Sequence, residues 1–213
     1  MGEAIRGGDA VRQSLIQRFV FWLDEGLRRD QQTFEYSDRP DCLFRIQHSR
    51  SRSSYVLSDG VAVREGDPII ELHLWNEHLP KMTAARASIA WGSRLAHGFR
   101  SSLRELRAWL DARPEHDDAT VVFANMALGG GKRTDQLVRW MCGPLGLEPV
   151  IDGYRPTFRE HLKRLGENIL GLMLVMATNP AAARFDMLMR DRAHVAMSRA
   201  ELRRRYGRRW PPQ

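Results

Sequence analysis

A double switch in hydrophobic period constrains this chain most: helical spacing, then alternation, then helical spacing again. From Asp9 to Phe34 the apolar residues Val11, Leu15, Phe19, Trp22, Leu23 and Leu27 recur every three or four positions, with Asp9 as the expected N-cap and Pro40 closing the turn that follows. The pattern then becomes that of strands, in Cys42–His48 (CLFRIQH), Tyr55–Leu57, Val61–Val63 and Ile69–Trp75 (IIELHLW). Asp59-Gly60 and Gly66-Asp67 mark tight turns between them, so an antiparallel meander of three or four short strands is expected. Helical spacing returns from Thr83 to Ala112, through Ile89, Leu95, Phe99, Leu103, Leu106 and Leu110, with Thr83 as its cap.

Downstream, Thr120–Leu128 (TVVFANMAL) reads as a buried strand, running into Gly129-Gly130-Gly131 and a helix over Thr134–Met141. Leu145–Ile151 reads as a short final strand, and helices are expected over Thr157–Thr178, Pro180–Arg190 and Ser198–Tyr206. Within the first of these, the unbroken apolar run Ile169–Ala177 predicts a core helix buried on all sides. With no internal repeat or low-complexity linker, the expectation is one α+β domain over 1–213: a small antiparallel sheet at about 42–150 packed by helices, a helical part at 155–206 and a basic tail at 199–213.

Composition narrows the function classes. At 213 residues, 43% hydrophobic and 28% charged, the chain can bury one core and is not a disordered segment. Cys42 and Cys142 are too few for a disulfide framework or a Cys-rich zinc site. There is no apolar run of spanning length and no apolar core in the N-terminal stretch, which predicts a cytoplasmic protein. The net charge of +7 sits mainly at one end: residues 199–213 hold six arginines against one glutamate, and the remainder carries 27 basic and 25 acidic side chains. Arginine outnumbers lysine thirty to three throughout the chain, so the preference is not a local phosphate-binding signature.

The run Tyr55–Pro80 (YVLSDGVAVREGDPIIELHLWNEHLP) resembles the YkoP domain of bacteria, whose pattern sets a strand before a DG turn, then a GD turn, then an ELH-hydrophobic-x-N strand. Here those elements are Asp59-Gly60, Gly66-Asp67 and Glu71–Asn76. The resemblance implies a fold more than an activity and brings no catalytic residues. It implies links to sporulation in some bacilli and to polysaccharide deacetylase neighbours; the near-neutral body, the basic amphipathic tail and the lack of a specific catalytic signature then lead to the expectation of an accessory role at the inner membrane face, beside envelope-polysaccharide enzymes.

Three groups of residues carry the chemistry. Alternation on IIELHLW places Glu71, His73 and Trp75 on one face and Ile70, Leu72 and Leu74 on the other, toward the core. Glu71, His73 and His78 are candidate metal ligands, imidazole and carboxylate suiting zinc, iron or manganese; alternatively Glu71 orients His73 as a general base, with Asn76 contacting substrate. That would make the protein a hydrolase or transferase, whereas a hydrogen-bonded Glu–His pair under a helix and a chain reversal tied by Asn76 and His78 would make the cluster structural. Gly130, Gly131, Lys132 and Arg133, between a strand and a helix, offer amides to an anion but lack the phosphate-loop spacing. Finally, Leu202, Tyr206 and Trp210 recur at four-residue intervals among Arg203, Arg204, Arg205, Arg208 and Arg209. The default expectation for that stripe is packing on the body with the arginines in water; the partners it could otherwise meet are an anionic membrane surface, whose interface the apolar stripe would enter, or, less favoured, nucleic-acid phosphates. No cofactor is assigned.

Overall fold

The computed structural model describes residues 33–81, 88–127, 143–150 and 192–207, and most of 165–176. The expected N-terminal helix, the glycine-rich turn with Lys132 and Arg133, the helices at Thr134–Met141 and Pro180–Arg190, and Arg208, Arg209 and Trp210 lie outside the described residues.

The fold is α+β, as expected. Strands β1 (Phe44–Arg50), β4 (Pro68–Leu74), β5 (Val121–Ala127), β6 (Glu148–Pro149) and β7 (Arg192–Ser198) form one sheet in the order β1-β4-β5-β7-β6. Strands β2 (Tyr55–Val56) and β3 (Ala62–Val63) form a separate hairpin. The sheet is therefore mixed rather than a meander: β4 runs parallel to β5, because a long helix carries the chain across between them, while β1–β4, β5–β7 and β6–β7 are antiparallel. The expected Leu145–Ile151 strand is confined to β6, and residues 143–145 are helical.

The two turns read from sequence are in place. Gly60 at φ 86° and Gly66 at φ 88° take the left-handed conformation that side-chain-bearing residues rarely adopt. Asp59 accepts from the Val61 amide and Asp67 from the Arg64 amide, closing the turns locally.

The crossover helix is α1 (Ile89–Asp111), capped by Ser88, whose hydroxyl accepts from the Trp91 amide at 3.1 Å; Thr83, the expected cap, lies outside the described residues. Its first-turn Ile89 is exposed, contrary to the apolar stripe that the spacing suggests, because the core contact begins at Leu95. Phe99, Leu103, Leu106 and Leu110 then pack on Phe44, Ile46, Ile70, Leu72, Val122, Ala124, Val195 and Met197, one whole face of the sheet. Gly98 allows the closest approach: a Cβ there would stand 2.7 Å from Leu43 Cδ1. At the same point Ser102 Oγ accepts from the Leu43 amide at 2.7 Å and donates to the Gly98 carbonyl at 2.6 Å.

Strand β7 was not legible in the sequence. It inserts between β5 and β6 and leads directly into α2 (Arg199–Tyr206), whose N-cap is Ser198. Helix α2 is not a tail. Leu202, at 1% exposure, and Tyr206, at 6%, belong to the main core, and the Tyr206 hydroxyl donates to the Leu145 carbonyl at 3.0 Å. The described residues between 165 and 176 are helical, but not buried on all sides: Asn168 and Leu172 are buried while Leu165, Ile169 and Met176 are exposed.

Candidate functional site

The main core uses one face of the sheet, and the register defines what the other face carries. Across β1, β4, β5 and β7, the partners Gln47–Glu71–Phe123–Ala196 form one row. Two residues along each strand, Arg45 faces His73 and Asn125 faces His194, so a second row runs Arg45–His73–Asn125–His194. A third row, through Ile69 and Val121, is sealed by Tyr55, Leu57 and Val63 of the hairpin, with Phe123 packed at the border of that cluster. The hairpin thus covers one half of this face, and the polar row occupies the other.

Within the row, side chains are committed to different degrees. His73 Nε2 donates to Gln47 Oε1 at 2.9 Å. Arg45 is buried, and its charge is answered by Glu35 at 3.3 Å and Glu77 at 3.4 Å, with the guanidinium 4.3 Å above the Trp75 ring. Glu71 is half-buried and makes no hydrogen bond or ion pair among the described residues. Asn125 Oδ1 is shut off from solvent without a donor. The His194 ring lies 5.5 Å from that of Phe123.

The expected grouping of Glu71, His73 and His78 is therefore only partly assembled. Glu71 and His73 share a face as the alternation required. His78 sits in the 3-10 turn Asn76–His78, stacked on Trp75 at 3.6 Å, with Nδ1 2.9 Å from the Cys42 carbonyl. One of its nitrogens and one of its ring faces thus serve the chain reversal before Pro80. Among the described residues no group of three His, Cys, Asp or Glu side chains is gathered to hold a metal ion. The Asn76 side chain lies outside the described residues. Leu74, placed inward by the alternation, is 38% exposed because β4 ends there and the chain turns away.

Sequence reasoning missed Arg45, Gln47, Asn125 and His194. The first two were readable, as the polar alternates of CLFRIQH, and Asn125 was the one polar residue inside an apolar strand. His194 had no local signal, since its place depends on β7 pairing with β5.

A second surface is basic. Helix α2 turns Leu202 and Tyr206 inward, so Arg203 and Arg204 project outward at 53% and 69% exposure. Arg203 bonds Asp111 at 2.7 Å, and Arg107 of α1 shares that carboxylate at 3.0 Å. Arg204, at 2.6 Å, and Arg205 share Glu201. Bonds from Arg204 and then Arg205 outweigh burial and hold the Glu201 carboxyl down at about 2. Burial lifts the Tyr206 phenol to about 12, although the positive charges of Arg205, Arg100 and Arg104 pull the other way. These six arginines therefore form one region at the α1–α2 contact, and four of them share two carboxylates.

No curated protein and no solved structure matches the chain. No helix among the described residues is long and apolar enough to cross a membrane. The YkoP domain model matches residues 22–132, more than half of the sequence, spanning β1 through β5 with α1 and leaving β6, β7 and α2 beyond it. The chain belongs to the YkoP domain family.

Proposed function

We propose that this protein is a non-catalytic interaction protein that docks on an anionic membrane surface through the arginine region of α1 and α2. The observation that carries this reading is the sharing of two carboxylates among Arg107, Arg203, Arg204 and Arg205, which leaves an excess of two positive charges among the described residues, beside exposed Arg100. The contact is electrostatic and does not insert. Two residues of the apolar stripe, Leu202 and Tyr206, are buried in the core, where the helix packs on the body rather than offering them to lipid.

A flat array of headgroups fits this surface better than a nucleic-acid groove does. Consecutive positions 203–205 splay through roughly 200° of the helix circumference. A groove reader instead aligns one face and presents its first turn, and here the first turn is occupied by the bond from Ser198 to Asp59. The family resemblance adds envelope-polysaccharide enzymes as neighbours at that surface.

Co-sedimentation with phosphatidylserine/phosphatidylcholine vesicles tests the reading. Each basic residue near such a surface contributes about 1 kcal/mol, so Arg204→Ala should weaken binding about fivefold. Equal binding to pure phosphatidylcholine, or an Arg204→Ala variant that binds as well as the parent, would overturn it. Displacement of the vesicles by duplex DNA at equal phosphate concentration would reassign the surface to nucleic acid.

A further inference from the structure

We infer that the polar face of the sheet holds a recognition site for a primary ammonium group, formed by Glu71, Phe123 and Asn125. The inference does not depend on the arginine surface. It starts from which polar groups on that face are already used. The donors His73 Nε2 and Arg45 are engaged, the first by Gln47 and the second by Glu35, Glu77 and the Trp75 ring.

Beside these donors, two acceptors have no hydrogen-bond partner among the described residues: the half-buried Glu71 carboxylate and Asn125 Oδ1. A half-buried anion and an orphaned amide oxygen are both costly in an unliganded protein. Both costs are relieved by one kind of ligand, which donates hydrogen bonds and carries positive charge. Phe123 stands between them, opposite Glu71 in the β4–β5 register and two residues before Asn125 on the same face. Its half-buried ring adds the quadrupole attraction that favours a cation over a neutral hydroxyl.

The same inventory separates this ligand from other cations. A hard divalent ion takes about six to eight oxygens, whereas Glu71 and Asn125 supply three, and no metal-binding trio lies among the described residues. A guanidinium binds best as a planar fork on a carboxylate and leaves the amide oxygen unanswered. An ammonium distributes three donors tetrahedrally, enough for a carboxylate oxygen, an amide oxygen and one water.

A free amine and the side chain of a partner's lysine share this chemistry. The test is therefore a titration of the full chain with two probes, 1,4-diaminobutane and N-acetyl-lysine methylamide, followed by backbone amide shifts. Saturable shifts centred on Glu71, Phe123 and Asn125 are expected with at least one probe, and the tighter probe identifies the source. Glu71→Gln should weaken binding at least tenfold and Asn125→Ala severalfold, while both variants melt no lower than the parent. Glu71→Asp, which keeps the charge but shortens its reach, should also weaken binding in a folded protein. The proposal is overturned if 1,4-butanediol saturates the same residues equally, if Glu71→Gln binds unchanged, or if the shifts map elsewhere.

Discussion

Across the same four strands, the row Ile46–Leu72–Ala124–Val195 and the row Arg45–His73–Asn125–His194 stand one residue apart in register, on opposite faces of the sheet. The first row is covered completely by α1 and α2 and belongs to a single apolar cluster. The second lies past the end of the hairpin's cover and mixes answered and unanswered polar groups. Their difference separates residues that hold the fold from residues that the fold holds in place. Stability should be concentrated on the first row, and substitutions of the unanswered polar groups of the second should be nearly free.

The largest effect belongs to the apolar face. Leu103→Ala, in a fully buried position between α1 and the sheet, is expected to cost about 3 kcal/mol through lost transfer energy and a residual cavity. Urea unfolding with an unchanged slope and a lower midpoint would confirm it.

Gly98→Ala sharpens the same face from the opposite direction. Alanine favours a helix interior by up to about 1 kcal/mol. The added carbon would nevertheless collide with Leu43 at 2.7 and 2.9 Å, and overpacking of this kind costs about 1–3 kcal/mol. A net loss is expected in thermal melts; a gain would show that α1 is less tightly seated than the glycine implies.

Ionisation gives a smaller effect at the α2 end. The Glu201 carboxyl is depressed from 4.5 to about 2, so its contribution is complete above pH 4.5 and is lost as pH falls from there toward 2. For a carboxylate screened by solvent, Glu201→Gln should remove about 1 kcal/mol at neutral pH and flatten that acid limb. His48 acts in a higher window. Burial, and then the charge of neighbouring His116, lower it from its ordinary 6.5, so the unfolded chain binds its proton first and stability declines as pH drops below about 6.5. Melting His48→Gln across pH 5–7 should show that slope reduced.

The smallest effect is expected on the second face. Asn125→Ala removes a carbonyl oxygen that has no donor, and should change stability by no more than about 0.5 kcal/mol or raise it. A loss comparable to that of Leu103→Ala would erase the distinction between the two faces.

What could be read in the sequence was whatever local spacing decides. The alternation of IIELHLW, the turns at Gly60 and Gly66 and the stripe from Leu95 to Leu110 are each set within a few residues, and they appear in the fold. Strand β7 escaped because RAHVAMS has neither a clean alternation nor a helical stripe; it is a strand because β5 and β6 pair with it from both sides. The same long-range pairing brings His194 beside Asn125. The packing of helix α2 on the body was the default reading, yet the sequence left membrane entry open beside it, because an apolar stripe between arginines has one appearance whether it faces lipid or a core. Only the position of α1 decides, and that position depends on residues about a hundred places earlier in the chain.

The position of β7 has a consequence for the order in which the protein can be made. Strand β5 emerges from the ribosome with β4 on one side and an open edge on the other, and it must wait some seventy residues for the partner that closes it. Pairing across such a span is slow, and an unsealed edge invites other chains. A nascent chain halted anywhere in that interval therefore presents an adhesive strand with its ladder half built. The family model's match to this chain ends at residue 132, inside the interval, so the matched stretch does not include the strand that closes β5.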